Sequence, residues 1–485
     1  MGAFKFLPHP LLARQIRKLN KGTCKVCLSN VSGIQENRRK KLVILGTGWG
    51  GYSLLRNINK KLFDVVVISP RNHFLFTPLL ASTTVGTLEF RSIIEPVRNT
   101  HFRDEHHFQL AKAVELQPDR QVVVCQSVLN SQKYEVSYDM LVMAVGARSN
   151  TFNVPGVQEN AFFLKEISHA RAIRNRILTN FELSVHPKIT PEEEKRLLHF
   201  VICGGGPTGV EFGAELYDFL REDVSRLYAH EKEKVQVTLL EPNQILPSFD
   251  HELRAFAERK IKQRPHFKLI QSSVVEVHDK YVKLQDGQVL PCGLVVWSTG
   301  LAPRPFLGKY VWEGGTTLIN LDHLVELQSK QILYNFFLFI FILENSSLPK
   351  SKQGQLLVDS FLQVKGIADG SVYALGDCAH IEGAPLACTA QVAERQGRYL
   401  AKCLAQSFNS TQSLKPFSWN NMGMMAYVGD YQALAEFEKT KLHGFMTWLL
   451  WRSAYLTMLG SFRLRLQVPF DWLRTFVFGR DTSKF

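Results

Sequence analysis

Two stretches decide the fold of this chain: Lys41-Leu-Val-Ile-Leu45 running into Gly46-Thr-Gly48-Trp-Gly-Gly51, and His199-Phe-Val-Ile-Cys203 running into Gly204-Gly-Gly206-Pro-Thr-Gly209. Each is a short apolar strand that breaks into glycines and resumes as a helix. Each is followed by a second apolar strand, Asp64 to Ile68 in the first copy and Val235 to Leu240 in the second. Strand, glycine turn, helix, strand opens a dinucleotide-binding unit. With glycine at about 7% of residues, three glycines in fixed register arise by chance roughly 0.1 to 0.2 times in a chain of this length. One match is weak evidence; two in the right context are strong. In each copy the first glycine (Gly46, Gly204) is expected to make the tight turn. The second (Gly48, Gly206) lets the backbone approach a pyrophosphate, and the third (Gly51, Gly209) lets helix and strand close together, with the helix N-terminus facing the phosphates.

Outward from these anchors, Tyr138 to Val145 reads as a buried strand ending in Gly146-Ala147, and Gly293 to Ser298, ending in Thr299-Gly300, is its counterpart in the second unit. A third related segment, Val372 to Leu375 followed by Gly376-Asp377, comes later. The expected fold is therefore α/β, with two Rossmann-like dinucleotide-binding domains, the second inserted in the first, and a C-terminal amphipathic membrane-binding region. The expected boundaries are 1–39 for a targeting segment, 40–165 and 355–412 for the two parts of the first domain, 166–305 for the second domain, 306–354 for an atypical insert, and 413–485 for the C-terminal region.

The two units differ where they meet a ribose. Glu241 ends the second strand of the second unit, where a carboxylate accepts hydrogen bonds from both ribose hydroxyls and repels a 2′-phosphate. This points to NADH in preference to NADPH. The first unit has Ser69 there, followed by Pro70 and Arg71, so its adenosine ribose must be held differently. Asp377, after a strand and a glycine, suits a polyol hydroxyl such as a flavin's ribityl chain. FAD in one fold and NADH in the inserted fold would bring two redox rings together for hydride transfer. The helix after Gly51 carries no cysteine, which disfavours disulfide reduction.

Composition bounds the rest. The chain has 485 residues, 45% of them hydrophobic, and a formal charge of +14. No apolar run reaches the 18 or so residues of a spanning helix. Eight cysteines in so long a chain do not make a disulfide scaffold, and no metal site is expected. The charge is placed at the ends. Lys5, Arg14, Arg17, Lys18, Lys21 and Lys25 precede the first acid, Glu36, with Leu11, Leu12, Ile16 and Leu19 suited to an opposite helical face, the profile of a mitochondrial targeting segment. From Lys439 onward, eight Lys/Arg and two Asp are threaded through Trp448, Trp451, Tyr455, Phe462, Phe470, Trp472, Phe476 and Phe478. That mixture suits a lipid surface, with rings at headgroup depth and cations meeting anionic lipid. No nucleic-acid recognition module is present.

The chain resembles the type II (alternative, rotenone-insensitive) NADH:ubiquinone oxidoreductases, single-subunit FAD enzymes bound to one membrane face. The resemblance is carried by Val43 to Gly50, Ile68-Ser-Pro-Arg-Asn-His-Phe-Leu-Phe-Thr-Pro-Leu79, Gly204 to Glu211, Ala374-Leu-Gly-Asp377, Ala387-Cys-Thr-Ala-Gln-Val-Ala393, Leu449 to Leu456 and Phe478-Gly-Arg-Asp481. It implies that Phe74 to Pro78, with Thr77, lies near the flavin ring, that Glu211 lies near the nicotinamide, and that Ala390-Gln391 stands where quinone arrives. Glu394 departs from relatives with His at this point, which puts any proton-delivery role there in doubt. The implied activity is non-proton-pumping NADH:quinone oxidation at the inner mitochondrial membrane surface, with ubiquinone as acceptor; a homodimer is left open. The rivals are a partner-binding flavoprotein resembling apoptosis-inducing factor, and a sulfide:quinone or ferredoxin reductase. The terminal Ser483-Lys-Phe485 loosely resembles a peroxisomal address.

Between Pro305 and Gln355 the resemblance fails. Val311 to Ser347 contains the apolar run Ile332 to Leu343, too short to span a bilayer. The expectation is translated non-coding sequence, against a membrane hairpin or a buried insert.

Overall fold

The computed structural model describes residues 39–308, 348–407 and 414–483. The targeting segment and the apolar run 332–343 lie outside the described residues.

The first glycine-bearing strand, Lys40–Leu45, lies between two parallel neighbours, Phe63–Ser69 and Met140–Met143. The late strand Val372–Ala374 adds in parallel to Met140–Met143. These strands read as unbroken apolar runs, residues 42–45 and 65–68 being Val, Ile and Leu alone, because helices or loops cover both faces; Leu42, Val43, Ile44 and Leu141 have no exposure at all. Beyond Phe63–Ser69 the sheet continues through Phe108–Gln117 and turns antiparallel into Val122–Ser127 and Lys133–Ser137, giving seven strands.

The second sheet has five parallel strands in the order Phe162–Phe163, Leu294–Trp297, His199–Cys203, Gln236–Leu240, Phe267–Ile270. A three-stranded antiparallel meander between Val274 and Pro291 is attached to it. The passages between the two units lie side by side, since Ala147–Ser149 on the way out pairs antiparallel with Leu301–Pro303 on the way back. A chain that leaves and returns at one place, and whose Val372–Ala374 then rejoins the first sheet, has one nucleotide fold inserted in another.

The C-terminal region is a three-stranded antiparallel sheet, Met424–Gly429, Gln432–Phe437 and Thr440–Gly444, followed by the helices Phe445–Met458 and Phe462–Phe478. Ser461 caps the last helix by accepting from Leu464 N, and its hydroxyl donates to Glu95 at 2.6 Å. No helix among the described residues is long and apolar enough to cross a membrane.

Here the sequence expectation needs two corrections. The tryptophans do not face outward: Trp448 and Trp451 are buried, because their large rings close the core beneath the small sheet. The arginines do not reach for lipid either. Arg452 lies between the Trp448 and Trp472 rings, 4.1 and 4.3 Å from their centroids. Arg463 donates to Ile94 O, Arg465 to Thr457 O, and Arg474 and Arg480 pair with Glu89 and Asp223. Arg463 and Arg465 stay exposed while held by these carbonyls, and the rest of the outward face is largely apolar: Phe445, Met446, Phe462, Leu466, Phe470, Leu473, Phe476 and Phe478.

Candidate active site

The two fingerprints fold into matching cradles. Gly46 and Gly204 have φ of +100° and +113°, and a Cβ on either would strike the backbone of the neighbouring strand end, 2.4 Å from Ala144 O and 2.9 Å from Ser298 O. Gly51 and Gly209 leave no room either; a Cβ there would come within 2.1 and 2.0 Å of the first glycine's carbonyl oxygen. The middle positions are different. Gly206 has nothing within 4 Å, and Gly48 has only the Arg71 guanidinium, at 3.7 Å. Closed at the first and third glycines and open at the second, each copy keeps free the side from which a pyrophosphate approaches the helix N-terminus.

A cleft of about 1150 Å³ lies where the units meet. From the first unit it is lined by Gly46, Gly48, Ser69, Arg71, Thr77, Gly146 and Asp377; the second contributes Thr208, Glu211 and Gly300. Residues more than three hundred positions apart in sequence thus face one space. The remaining expected residues lie elsewhere. Gly51, Gly204, Gly206, Gly209, Glu241 and Gln391 do not line this cleft.

Glu241 is held at the second cradle, accepting from Gly205 N at 2.8 Å and Asn243 N at 3.0 Å. A carboxylate fixed at a strand end beside a glycine turn is placed for ribose hydroxyls. Its counterpart Ser69 is buried, with its hydroxyl 2.8 Å from that of Thr47, so the first cradle offers no carboxylate to a ribose.

Glu211 presents one edge to the cleft while protein encloses its carboxyl group. Burial pushes that carboxyl up to about 8, against the Tyr427 N–H that donates to it at 3.1 Å. It is therefore neutral at pH 7, with its donor drawn from the C-terminal sheet. Asp377, which lines the first unit's side, is also pushed up by burial and pulled down by Lys165 and Arg304. Thr77 Oγ1 accepts from Trp49 Nε1 at 2.9 Å, so its orientation is set by the first fingerprint. Gln391 turns away: its amide donates to Gly423 O at 3.0 Å. The wall of the cleft at that helix start is made instead by Thr389, Ala390 and Ala393. Glu394 pairs with Arg398 at 2.6 Å.

Several residues of the site escape sequence reasoning. Trp49 stands inside the first fingerprint, where the glycines around it carry the signal; its ring meets Phe74 and Phe76, and Phe76 in turn meets Tyr455 of the C-terminal helices. Lys165, Glu166 and Arg304 all line the cleft. Their only sequence signal is that charged residues stand within a few positions after the short strands Phe162–Phe163 and Leu301–Pro303. The thiols near the cleft do not suit sulfide or disulfide chemistry, since burial pushes Cys378 and Cys388 up to about 11, away from the thiolate form.

Comparison with known proteins agrees with this geometry. Residues 40–320 match the family model for pyridine nucleotide-disulphide oxidoreductases, and residues 421–481 match the NDH2 C-terminal domain. A probable NADH dehydrogenase of Dictyostelium discoideum is 42% identical over 92% of this chain and 91% of its own length. An internal alternative NAD(P)H-ubiquinone oxidoreductase A1 from the mitochondria of Solanum tuberosum is 38% identical over 99% of this chain and 94% of its own. Among solved structures, NDH2 from Plasmodium falciparum in complex with NADH superposes with a TM-score of 0.80 at 26% identity, covering 92% of this chain and 100% of that one.

Proposed function

From the premise that this chain belongs to the alternative NAD(P)H-ubiquinone oxidoreductase family, we propose that it oxidises NADH and reduces ubiquinone, using FAD and without pumping protons. The observation that carries the reading is the shared cleft. The first unit's Gly48, Thr77 and Asp377 and the second unit's Thr208 and Glu211 line one space, while each fingerprint keeps its own open cradle. When bound, FAD supplies a two-electron carrier able to take hydride and return electrons to a quinone. The overall balance is NADH, a proton and quinone giving NAD⁺ and quinol, one quinol proton coming from the hydride and one from solvent.

In this reading the first cradle, with Arg71 over Gly48, holds the FAD pyrophosphate, and Asp377 holds its ribityl chain. Glu241 holds the NADH ribose. Glu211, neutral at pH 7, stands beside the nicotinamide without repelling the dinucleotide's phosphates. Thr77, fixed by Trp49, positions the ring side of the first unit. Ubiquinone enters from the C-terminal region, where Phe76, Tyr455 and Trp451 form an aromatic wall with centroids 6.1 and 5.0 Å apart. Gln391 acts by tying the helix Ala390–Gln406 to the C-terminal segment. In this reading residues 40–165 with 355–412 serve FAD, 166–305 serve NADH, and 413–485 serve membrane contact. The protein works in the mitochondrion, peripheral on the inner membrane, with its outward phenylalanines at lipid.

Anaerobic titration of the purified protein with NADH tests the reading. The yellow absorbance should bleach at one NADH per flavin and return on adding short-chain ubiquinone. Bleaching that persists in the presence of quinone would refute the acceptor, and a colourless protein that takes up no FAD would refute the whole assignment.

A further inference from the structure

The two passages between the nucleotide units each end in a cation that faces the cleft. Lys165 follows Phe162–Phe163, the outer strand of the second sheet, and Arg304 follows Leu301–Pro303 on the return. Both line the cleft, beside Asp377 and Glu166. Neither is fully satisfied. Among the described residues the Lys165 ammonium meets charged neighbours only at a distance, with no hydrogen bond to any of them. Arg304 Nε is buried without a partner, and its Nη2 lies 3.8 Å from Glu166 Oε1. Glu166 is already engaged, because Arg71 Nη1 holds its other oxygen at 2.6 Å.

Three cations (Arg71, Lys165, Arg304) therefore stand against two carboxylates (Glu166, Asp377) along one wall. Buried polar atoms such as Arg304 Nε are almost always hydrogen-bonded. Cationic side chains outnumber the carboxylates on this wall and keep spare donors, Arg304 Nε among them, which describes a place for an anion with several oxygens. The wall runs from Arg71, over the open Gly48, to Asp377. That is the course of a dinucleotide from pyrophosphate to ribityl chain.

We infer that Lys165 and Arg304 close over the pyrophosphate–ribityl stretch of the first unit's FAD, so that the crossovers between the units act as a cationic clasp on the cofactor. The inference rests on the FAD reading above. A dinucleotide pyrophosphate could equally come from NADH, but Gly206, the open glycine of the second cradle, lies outside this wall, whereas Gly48 and Asp377 are part of it. Lys165 and Arg304 are thus positioning residues for the cofactor, supplied by the segments that also join the domains.

The test uses purified holoenzyme and its Lys165→Met, Lys165→Arg and Arg304→Met variants. Release of FAD is followed by the rise in flavin fluorescence after dilution, and NAD⁺ affinity is titrated separately. Loss of one charge-assisted contact should speed FAD release by about tenfold to a hundredfold in Lys165→Met and Arg304→Met. Lys165→Arg should restore most of the retention, and NAD⁺ affinity should not change. If a variant is isolated without flavin, titration of FAD into it gives the weakened affinity directly. Unchanged FAD release and affinity in both methionine variants overturns the clasp; so does a loss confined to NAD⁺ affinity, which would assign the anion to NADH. An unaltered chain that holds no FAD at all overturns the parent reading instead.

Discussion

Arg480 Nη1 lies 2.8 Å from Asp223 Oδ2, with only 7% and 3% of the two side chains exposed. The pair joins the C-terminal region to the helical stretch that follows the second fingerprint. Arg480 Nε also donates to Thr87 Oγ1, whose own hydroxyl donates to Glu215, and Ser82 donates to the same carboxylate. All three parts of the fold meet at this node. Arg480→Met would leave the buried Asp223 with only the backbone N–H of residue 480 and Arg226 at 4.0 Å, and should destabilise the protein by about 3–5 kcal/mol. Thermal unfolding of the holoenzyme checks this; a loss below about 1 kcal/mol would mean the pair behaves as an exposed one.

Glu211 should impose a pH dependence on product release. Its carboxyl, pushed up to about 8 by burial, is neutral at pH 7 and anionic at pH 9. The nicotinamide ring of NAD⁺ is cationic, so the anion should bind it more tightly. Inhibition by NAD⁺ is expected to strengthen between pH 7 and 9, and to stay flat in Glu211→Gln. The same raised value means that the stability this group contributes at low pH is lost as pH climbs from the ordinary carboxylate range, about 4.3, through about 8. Denaturant unfolding across that range should show the decline in the unaltered protein and its absence in Glu211→Gln.

Glu241 should govern the choice between NADH and NADPH. Its carboxylate is pinned by two backbone N–H groups and cannot swing away from a 2′-phosphate. Glu241→Gln keeps the shape and removes the charge, and should move the ratio of kcat/KM values toward NADPH by about tenfold or more. Steady-state kinetics with both nucleotides decides it, and an unchanged ratio would place discrimination elsewhere.

Membrane attachment should resist salt. The arginines of the last two helices are engaged by protein groups or rings, even the exposed Arg463 and Arg465, and most of the outward face is phenylalanine, leucine and methionine. Binding to neutral phosphatidylcholine vesicles should therefore survive about 1 M salt, where the screening length is only about 3 Å. Replacing Phe462, Phe470 and Phe476 together by serine should release the protein. Cosedimentation measures both; release by salt alone would restore the electrostatic picture that the sequence suggests.

Much of this protein is legible in its amino-acid order. Glycine at the turns of Gly46 and Gly204 is a backbone requirement, and backbone requirements are local, so the fingerprints, their strands and the position of Glu241 at a strand end can be read from spacing. The return of Val372–Ala374 to the first sheet is legible too, because a strand buried on both faces leaves an unbroken apolar run. The hairpin Val122–Ser137 and the meander that ends at Pro291 are not, since short half-exposed strands carry weaker patterns.

The sequence by itself determined that there are two nucleotide folds, which one ends its second strand in an acidic residue, and that the far end of the chain is apolar and aromatic. Only the tertiary structure decided which side chains share a space: that Glu211 is enclosed by the C-terminal sheet and keeps its proton, that Gln391 turns away, that the C-terminal arginines are engaged by protein groups, and that Lys165 and Arg304 come together from opposite ends of an inserted domain. The physical reason is range. Backbone geometry and hydrophobic periodicity are set by neighbours a few residues apart, whereas burial, charge pairing and orphaned donors depend on partners brought close only when distant segments pack.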